Sequence, residues 1–80
     1  MNTYNIKAFG ITKDIVGGKG ISIEMKGQTV GELRAELNER FPKLIGLNSL
    51  FIAVNNDYAE ENITITEKDI IALIPPVSGG

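Results

Sequence analysis

The spacing of apolar residues changes several times along the chain, and each change marks a new element. Tyr4, Ile6 and Ala8 alternate with Asn5 and Lys7, a period of two that predicts a first strand ending near Phe9. Thr12-Lys13-Asp14-Ile15-Val16 predicts a single helical turn, stopped by Gly17-Gly18. Ile21, Ile23 and Met25 then alternate with Ser22, Glu24 and Lys26, the clearest amphipathic strand in the sequence. Adjacency pairs it with the first strand as a hairpin.

After a turn at Gly27-Gln28, Thr29 with Glu32 three residues on is the capping-box pattern that opens a helix. Val30, Leu33, Leu37 and Phe41 fall on one helical face, Glu32, Glu36, Glu39 and Arg40 take the other sides, and Pro42 closes the helix near Phe41. An irregular stretch through Gly46 leads to Leu50-Phe51-Ile52-Ala53-Val54-Asn55, a strand apolar on both faces, followed by a turn at Asn56-Asp57. Ile63 and Ile65 mark a short strand or loop, and Ile70 to Ile74 is the final strand. The order ββ-α-ββ, with room for one further small strand, predicts an α+β domain: a mixed sheet with one main helix packed across it.

This pattern leaves an apolar surplus. With Ile71 and Leu73 in the core, Ile70, Ala72 and Ile74 point away, as do Phe51 and Ala53 when Leu50, Ile52 and Val54 point inward. One helix cannot cover both faces of the sheet. Two readings of the second face stand side by side: loops cover it, or it is an exposed docking surface.

Length and composition narrow the function classes. Eighty residues make one small domain that buries about 60–65% of its unfolded-state surface. The 42% hydrophobic and 22% charged residues are those of an ordinary globular chain. Net charge is −2 and the eight Lys and Arg residues are scattered, so no basic stripe argues for nucleic acid. Acidic residues are denser between Asp57 and Asp69, which reads as a solvated loop region, with docking onto a basic partner as the alternative. There is no cysteine and no histidine, which removes thiol nucleophiles, disulfides, the usual metal sites and Ser-His-Asp chemistry. The start Met1-Asn2-Thr3-Tyr4 lacks a basic-then-apolar leader, and no apolar run reaches the ~18 residues a membrane span needs, so a cytoplasmic protein is expected. Gly17-Gly18-Lys19-Gly20 followed by Ser22 resembles a phosphate loop only superficially. It lies between two strands without the Walker spacing and reads as a hairpin connection.

Candidate chemistry concentrates in Pro75-Pro76-Val77-Ser78-Gly79-Gly80. Two glycines form a filament without side chains that fits a narrow channel and presents a carboxylate unshielded. The prolines behind them favour an extended stalk, and the segment reaches about 20 Å. A frayed terminus is the plain alternative. The apolar run Ile70 to Ile74 leading straight into prolines and then glycines favours a working tail, so residues 1–74 are expected as the folded domain and 75–80 as the tail.

The ending Leu73-Ile74-Pro75-Pro76-Val77-Ser78-Gly79-Gly80, with Ala53-Val54-Asn55 before a turn, Thr29-Val30-Gly31-Glu32-Leu33 at the helix start and Asp14-Ile15-Val16-Gly17 in the first loop, resembles the molybdopterin synthase small-subunit family. Its relatives include the thiamine-pathway sulfur carrier and, more distantly, ubiquitin. The resemblance implies a ubiquitin-like β-grasp fold and a sulfur carrier that is non-catalytic alone and binds no cofactor or metal itself. A ubiquitin-activating-type adenylyltransferase would use ATP and magnesium to adenylate Gly80, a sulfur donor would convert it to a thiocarboxylate, and the tail, with Gly79 behind the reactive carbon, would enter the large synthase subunit within a heterotetramer. There it would give sulfur to cyclic pyranopterin monophosphate. By the same resemblance Phe9, Tyr58 and Ile74 match docking positions, while Pro75, Pro76, Val77 and Ser78 run through the partner's channel. Of the docking residues, Ile74 and Phe9 are expected at the surface from the strand pattern alone. One departure is Lys68-Asp69 where the family usually has Gly-Asp, which bears on the turn before the last strand. Alternatives are a carrier for thiamine or tRNA thiolation, a ubiquitin-like protein modifier, or a β-grasp interaction module without covalent chemistry.

Overall fold

The computed structural model describes residues 1–47 and 50–75. The alternating segments fold as strands β1 (Asn2–Ala8) and β2 (Gly20–Met25), antiparallel from Asn2 opposite Met25 to Lys7 opposite Gly20. Between them lies the short helix α1 (Ile11–Val16). It stops at Gly17, whose φ of 88° is the left-handed cap conformation that glycine adopts without a Cβ clash. The glycine-rich segment is therefore a helix cap and strand lead-in.

Helix α2 (Val30–Arg40) starts as its capping box predicts: the Glu32 N–H donates to Thr29 Oγ1 at 3.2 Å, and the Thr29 N–H donates back to Glu32 Oε1 at 3.2 Å. The next N–H groups, of Val30 and Gly31, donate to the carbonyls of Ile63 and Glu61, so the 61–63 segment completes the helix start. Phe41 ends the helix, and a 3-10 turn (Pro42–Gly46) follows. The remaining strands are β3 (Phe51–Val54), β4 (Asp57–Tyr58) and β5 (Ile71–Ile74).

The five strands form one sheet in the order β2-β1-β5-β3-β4. The first and last strands, β1 and β5, lie side by side and parallel, and all other pairings are antiparallel. On the inner face Tyr4, Ile6, Ile23, Ile52, Ile71 and Leu73 meet Val30, Leu33 and Leu37 of α2, with Leu44 and Ile65 also buried in the core. Burying these side chains is the main stabilising term in so small a domain. The buried Tyr4 hydroxyl donates to the Gly27 carbonyl at 2.9 Å, and burial pushes its pKa up.

Three expectations shift. The β3–β4 turn is Asn55–Asn56, with φ of 53° and 74°, one residue earlier than predicted, because Val54 pairs with Asp57 in a two-residue hairpin and asparagine tolerates the left-handed region. Ala53 points to the second face as alternation predicts, but neither loop cover nor exposure describes it: it is buried because its methyl lies between Tyr58 and Ala72 on the neighbouring strands. Two strands are also shorter than expected, β3 by two residues and β5 by one: Leu50 and Asn55 lie just outside β3, and Ile70 just outside β5.

Candidate functional site

Strand pairing determines what the outer face of the sheet presents. Lys7, Ala72, Ala53 and Tyr58 stand opposite one another across β1, β5, β3 and β4. Two residues further along lie Phe9, just past β1, and the opposed pair Ile74 and Phe51. Alternation keeps side chains two apart on one face, so the small alanines form a floor and the larger residues a rim. The result is an apolar cleft of about 230 Å³ lined by Phe9, Ala53, Tyr58, Ile70, Ala72 and Ile74, with Lys7 and Asn56 at its edge.

Phe9, Phe51, Tyr58 and Ile70 are all exposed, Tyr58 by 66%. Phe51 and Tyr58 stack with centroids 4.9 Å apart and planes within 4°, a diagonal cross-strand pair that holds both rings flat beside the cleft. The second face is therefore an exposed apolar surface, as one of the two readings had it. Phe9 is at the surface as expected, whereas Ile74 is half-buried because it sits between the end of β1 and Phe51.

The turn before β5 is built without glycine. Asn55 Nδ2 donates to Asp69 Oδ1 at 3.0 Å and the Thr66 N–H donates to Asp69 Oδ2 at 2.8 Å. The Asn55 side chain, with the Thr66 N–H beside it, holds the Asp69 carboxyl below the usual carboxylate range. The Ile70 N–H donates to Asn55 Oδ1, and the Asn55 N–H donates to the Ile70 carbonyl. Only Asn55 and Asn56 among the described non-glycine residues have positive φ, so Lys68 occupies its place unstrained.

The structure thus brings Phe9, Tyr58 and Ile74 together and places half-buried Pro75 directly after them. Pro76, Val77, Ser78, Gly79 and Gly80 lie outside the described residues. Alternation had put Phe51, Ile70 and Ala72 on this face. Lys7 at the rim was legible from the same alternation, and Asn56 was not, because its place depends on the turn register. A larger groove of about 480 Å³ along β1, β2 and residues 67–70 mixes charges of both signs, Lys7, Glu67, Lys68 and Asp69, with Ile6, Ile21 and Ile70. Among the described residues no group of three or more His, Cys, Asp or Glu side chains is placed to hold a metal ion, and no helix is long and apolar enough to cross a membrane.

A five-stranded mixed sheet crossed by one main helix, with its first and last strands parallel at the centre, defines a ubiquitin-like β-grasp domain. A solved structure described as a putative molybdopterin converting factor subunit 1 from Pyrococcus furiosus superposes with a TM-score of 0.85, covering 96% of this chain and 100% of that one at 23% identity. The chain belongs to the ThiS family, whose model matches residues 6–80. A Dictyostelium discoideum protein named molybdopterin synthase sulfur carrier subunit is 33% identical over 84 residues, spanning 99% of this chain and 98% of that protein. In a solved complex of subunits 1 and 2 of the molybdopterin-converting factor from Helicobacter pylori, the matching chain is 29% identical with a TM-score of 0.69, covering 98% of this chain and 99% of that one.

Proposed function

We propose that this protein is the sulfur carrier subunit of a molybdopterin synthase, acting in the cytoplasm. The reading rests on the near full-length likeness to a relative of that name, with 99% of this chain matched. The exposed cleft bounded by Phe9, Tyr58 and Ile74, at the point where Pro75 leaves β5, supports it as a docking surface at the root of the tail. Its partners are the large synthase subunit, in a heterotetramer, and a ubiquitin-activating-type adenylyltransferase.

A carboxylate is a poor electrophile at neutral pH, so activation comes first. A carboxylate oxygen of Gly80 attacks the α-phosphorus of ATP, held with magnesium by the adenylyltransferase, and pyrophosphate leaves. A sulfide-level donor then attacks the carbonyl carbon of this mixed anhydride, AMP departs, and a thiocarboxylate remains. Docking of the apolar cleft on the large subunit carries the loaded tail to cyclic pyranopterin monophosphate: the thiocarboxylate sulfur bonds to a pterin side-chain carbon, water cleaves the acyl–sulfur bond, and the Gly80 carboxylate is restored.

Incubating the protein with its adenylyltransferase, ATP, magnesium and sulfide tests the reading. The expected mass gain equals replacement of one oxygen by one sulfur, located on the peptide that ends in Gly80. Deleting Gly80 abolishes the gain and leaves the melting temperature unchanged, since a terminal glycine adds little to folding. Sulfur found on any other residue, or full synthase activity from a chain ending at Ser78, defeats the proposal.

A further inference from the structure

The backbone of Gly10 does two things that no other residue type does at that position. Its φ of 57° with ψ of −135° falls where side chains with a Cβ are strained. A Cβ added there would also stand 3.0 Å from the Cγ of Pro75, closer than an unstrained carbon contact. The bare α-carbon is thus the surface against which the Pro75 ring rests.

That surface is held firmly. The Thr12 hydroxyl, fully buried, accepts the Phe9 N–H at 2.8 Å and donates to the Phe9 carbonyl. The Thr12 N–H donates to the same carbonyl and the Lys13 N–H to the Gly10 carbonyl, both at 3.1 Å. Because β1 and β5 run parallel, with Ala8 opposite Leu73, the chain leaves both strands at the same end of the sheet. One strand continues into Phe9 and Gly10, the other into Ile74 and Pro75. A single clamped turn therefore carries a residue of the docking cleft and the rest for the first residue of the tail.

We propose that Gly10 is a positioning residue for sulfur transfer: by seating the Pro75 ring it sets the direction in which the chain leaves β5 relative to the docked cleft. This rests on the sulfur-carrier reading. Sulfur transfer needs the thiocarboxylate within reach of the pterin carbon while Phe9 and Tyr58 occupy the partner's surface, so an error in direction at Pro75 is carried along the tail. Misplacing a reacting atom by about 1 Å costs up to about a hundredfold in rate. Binding, which depends on the cleft, changes little.

The test is a double-mutant cycle with Gly10→Ala and Pro75→Ala, using thiocarboxylated protein and the large subunit at a temperature where circular dichroism shows every variant folded. Backbone strain at position 10 is the same whichever residue stands at position 75, whereas the contact with Cγ exists only with proline, so the cycle separates the two. Gly10→Ala is expected to lower the single-turnover transfer rate about ten- to a hundredfold when Pro75 is present and only about threefold or less in the Pro75→Ala background, and to change Kd for the large subunit by no more than about threefold within either background. Equal losses in the two backgrounds, or a loss confined to Kd, overturn the inference. If Gly10→Ala does not fold, the cycle is run with Thr12→Val, which loosens the turn without adding an atom at Pro75: a rate loss of about tenfold that disappears in the Pro75→Ala background supports the seat, and equal losses in both backgrounds overturn it. A wild-type protein that takes up no sulfur under these conditions refutes the carrier reading instead.

Discussion

Replacing Tyr58 by alanine separates the roles of the two faces of the sheet. Tyr58 is 66% exposed, and within this chain its ring stacks on Phe51 at 4.9 Å. A buried aromatic pair contributes about 0.5–1.5 kcal/mol beyond its area. Here Phe51 is itself 44% exposed and much of both ring surfaces already meets water, so the lower end of that range applies and folding loses about 0.5 kcal/mol. The backbone pairing of Ala53 with Tyr58 survives the substitution. On the proposed docking the balance is expected to reverse, because both rings would leave water at once and the alanine floor beside them would be sealed. Truncating a central aromatic of an interface costs about 2 kcal/mol or more, which is about thirtyfold in Kd. Urea denaturation of the free protein gives the first quantity, and calorimetric titration with the large subunit gives the second. The reasoning is refuted if Kd changes less than about twofold, or if the free protein loses more than about 2 kcal/mol, a loss characteristic of a core position. Ile74 is less suited to this comparison, since it is half-buried opposite Phe51 and a charge there would disturb β5 as well as the surface.

The opposite behaviour is expected of Leu37, which has no exposed surface and packs in the core with Leu33 and Val30. Leu37→Ala should cost about 2–5 kcal/mol in urea denaturation with little change in m, and a cost below about 1 kcal/mol would show that α2 is not packed on the sheet. Stability should also fall in acid. Glu32, hydrogen-bonded first by the Gln28 N–H and then by Thr29, and Asp69, bonded by Asn55 and Thr66, both have pKa values lowered by folding. A lowered folded pKa stabilises above the unfolded value, about 4, and that contribution is lost as pH falls through the folded one. The stability deficits of Glu32→Gln and Asp69→Asn at pH 7 should therefore shrink below about pH 4, and deficits independent of pH would refute the assignment.

Much of the fold was legible because its signals are local. A period of two marked β1 and β2, and helical spacing behind Thr29 and Glu32 marked α2, since each pattern needs only neighbours in sequence to be read. The turn at Asn55–Asn56 was placed one residue late because Asn55, Asn56 and Asp57 all suit a turn, and only the pairing of Val54 with Asp57 distinguishes them. Ala53 was assigned to the correct face but not to the correct burial. A methyl on an open face is covered or bare according to the residues beside it on other strands, here Tyr58 and Ala72, and sequence neighbours do not disclose those.

The candidate site divides along the same line. Part of its composition followed from alternation, which set Phe51, Ile70, Ala72 and Ile74 on one face, whereas Tyr58 was named only through the family resemblance. The joining of Phe9 to that set did not, because it depends on β1 and β5 being parallel neighbours, and it entered only through the family resemblance. Gly10 shows the limit most clearly. A glycine after a strand suggests a turn and nothing more, whereas its contact with Pro75 spans almost the whole chain and exists only because two parallel strands end at the same level. On the sulfur-carrier reading the start of the tail has to be held in place, and the parallel pairing of β1 and β5 brings the turn after β1 beside it. The positive φ of Gly10, the Thr12 clamp and the proline at position 75 are thus three features of one arrangement, of which the sequence alone marks only the proline, as the start of a stalk.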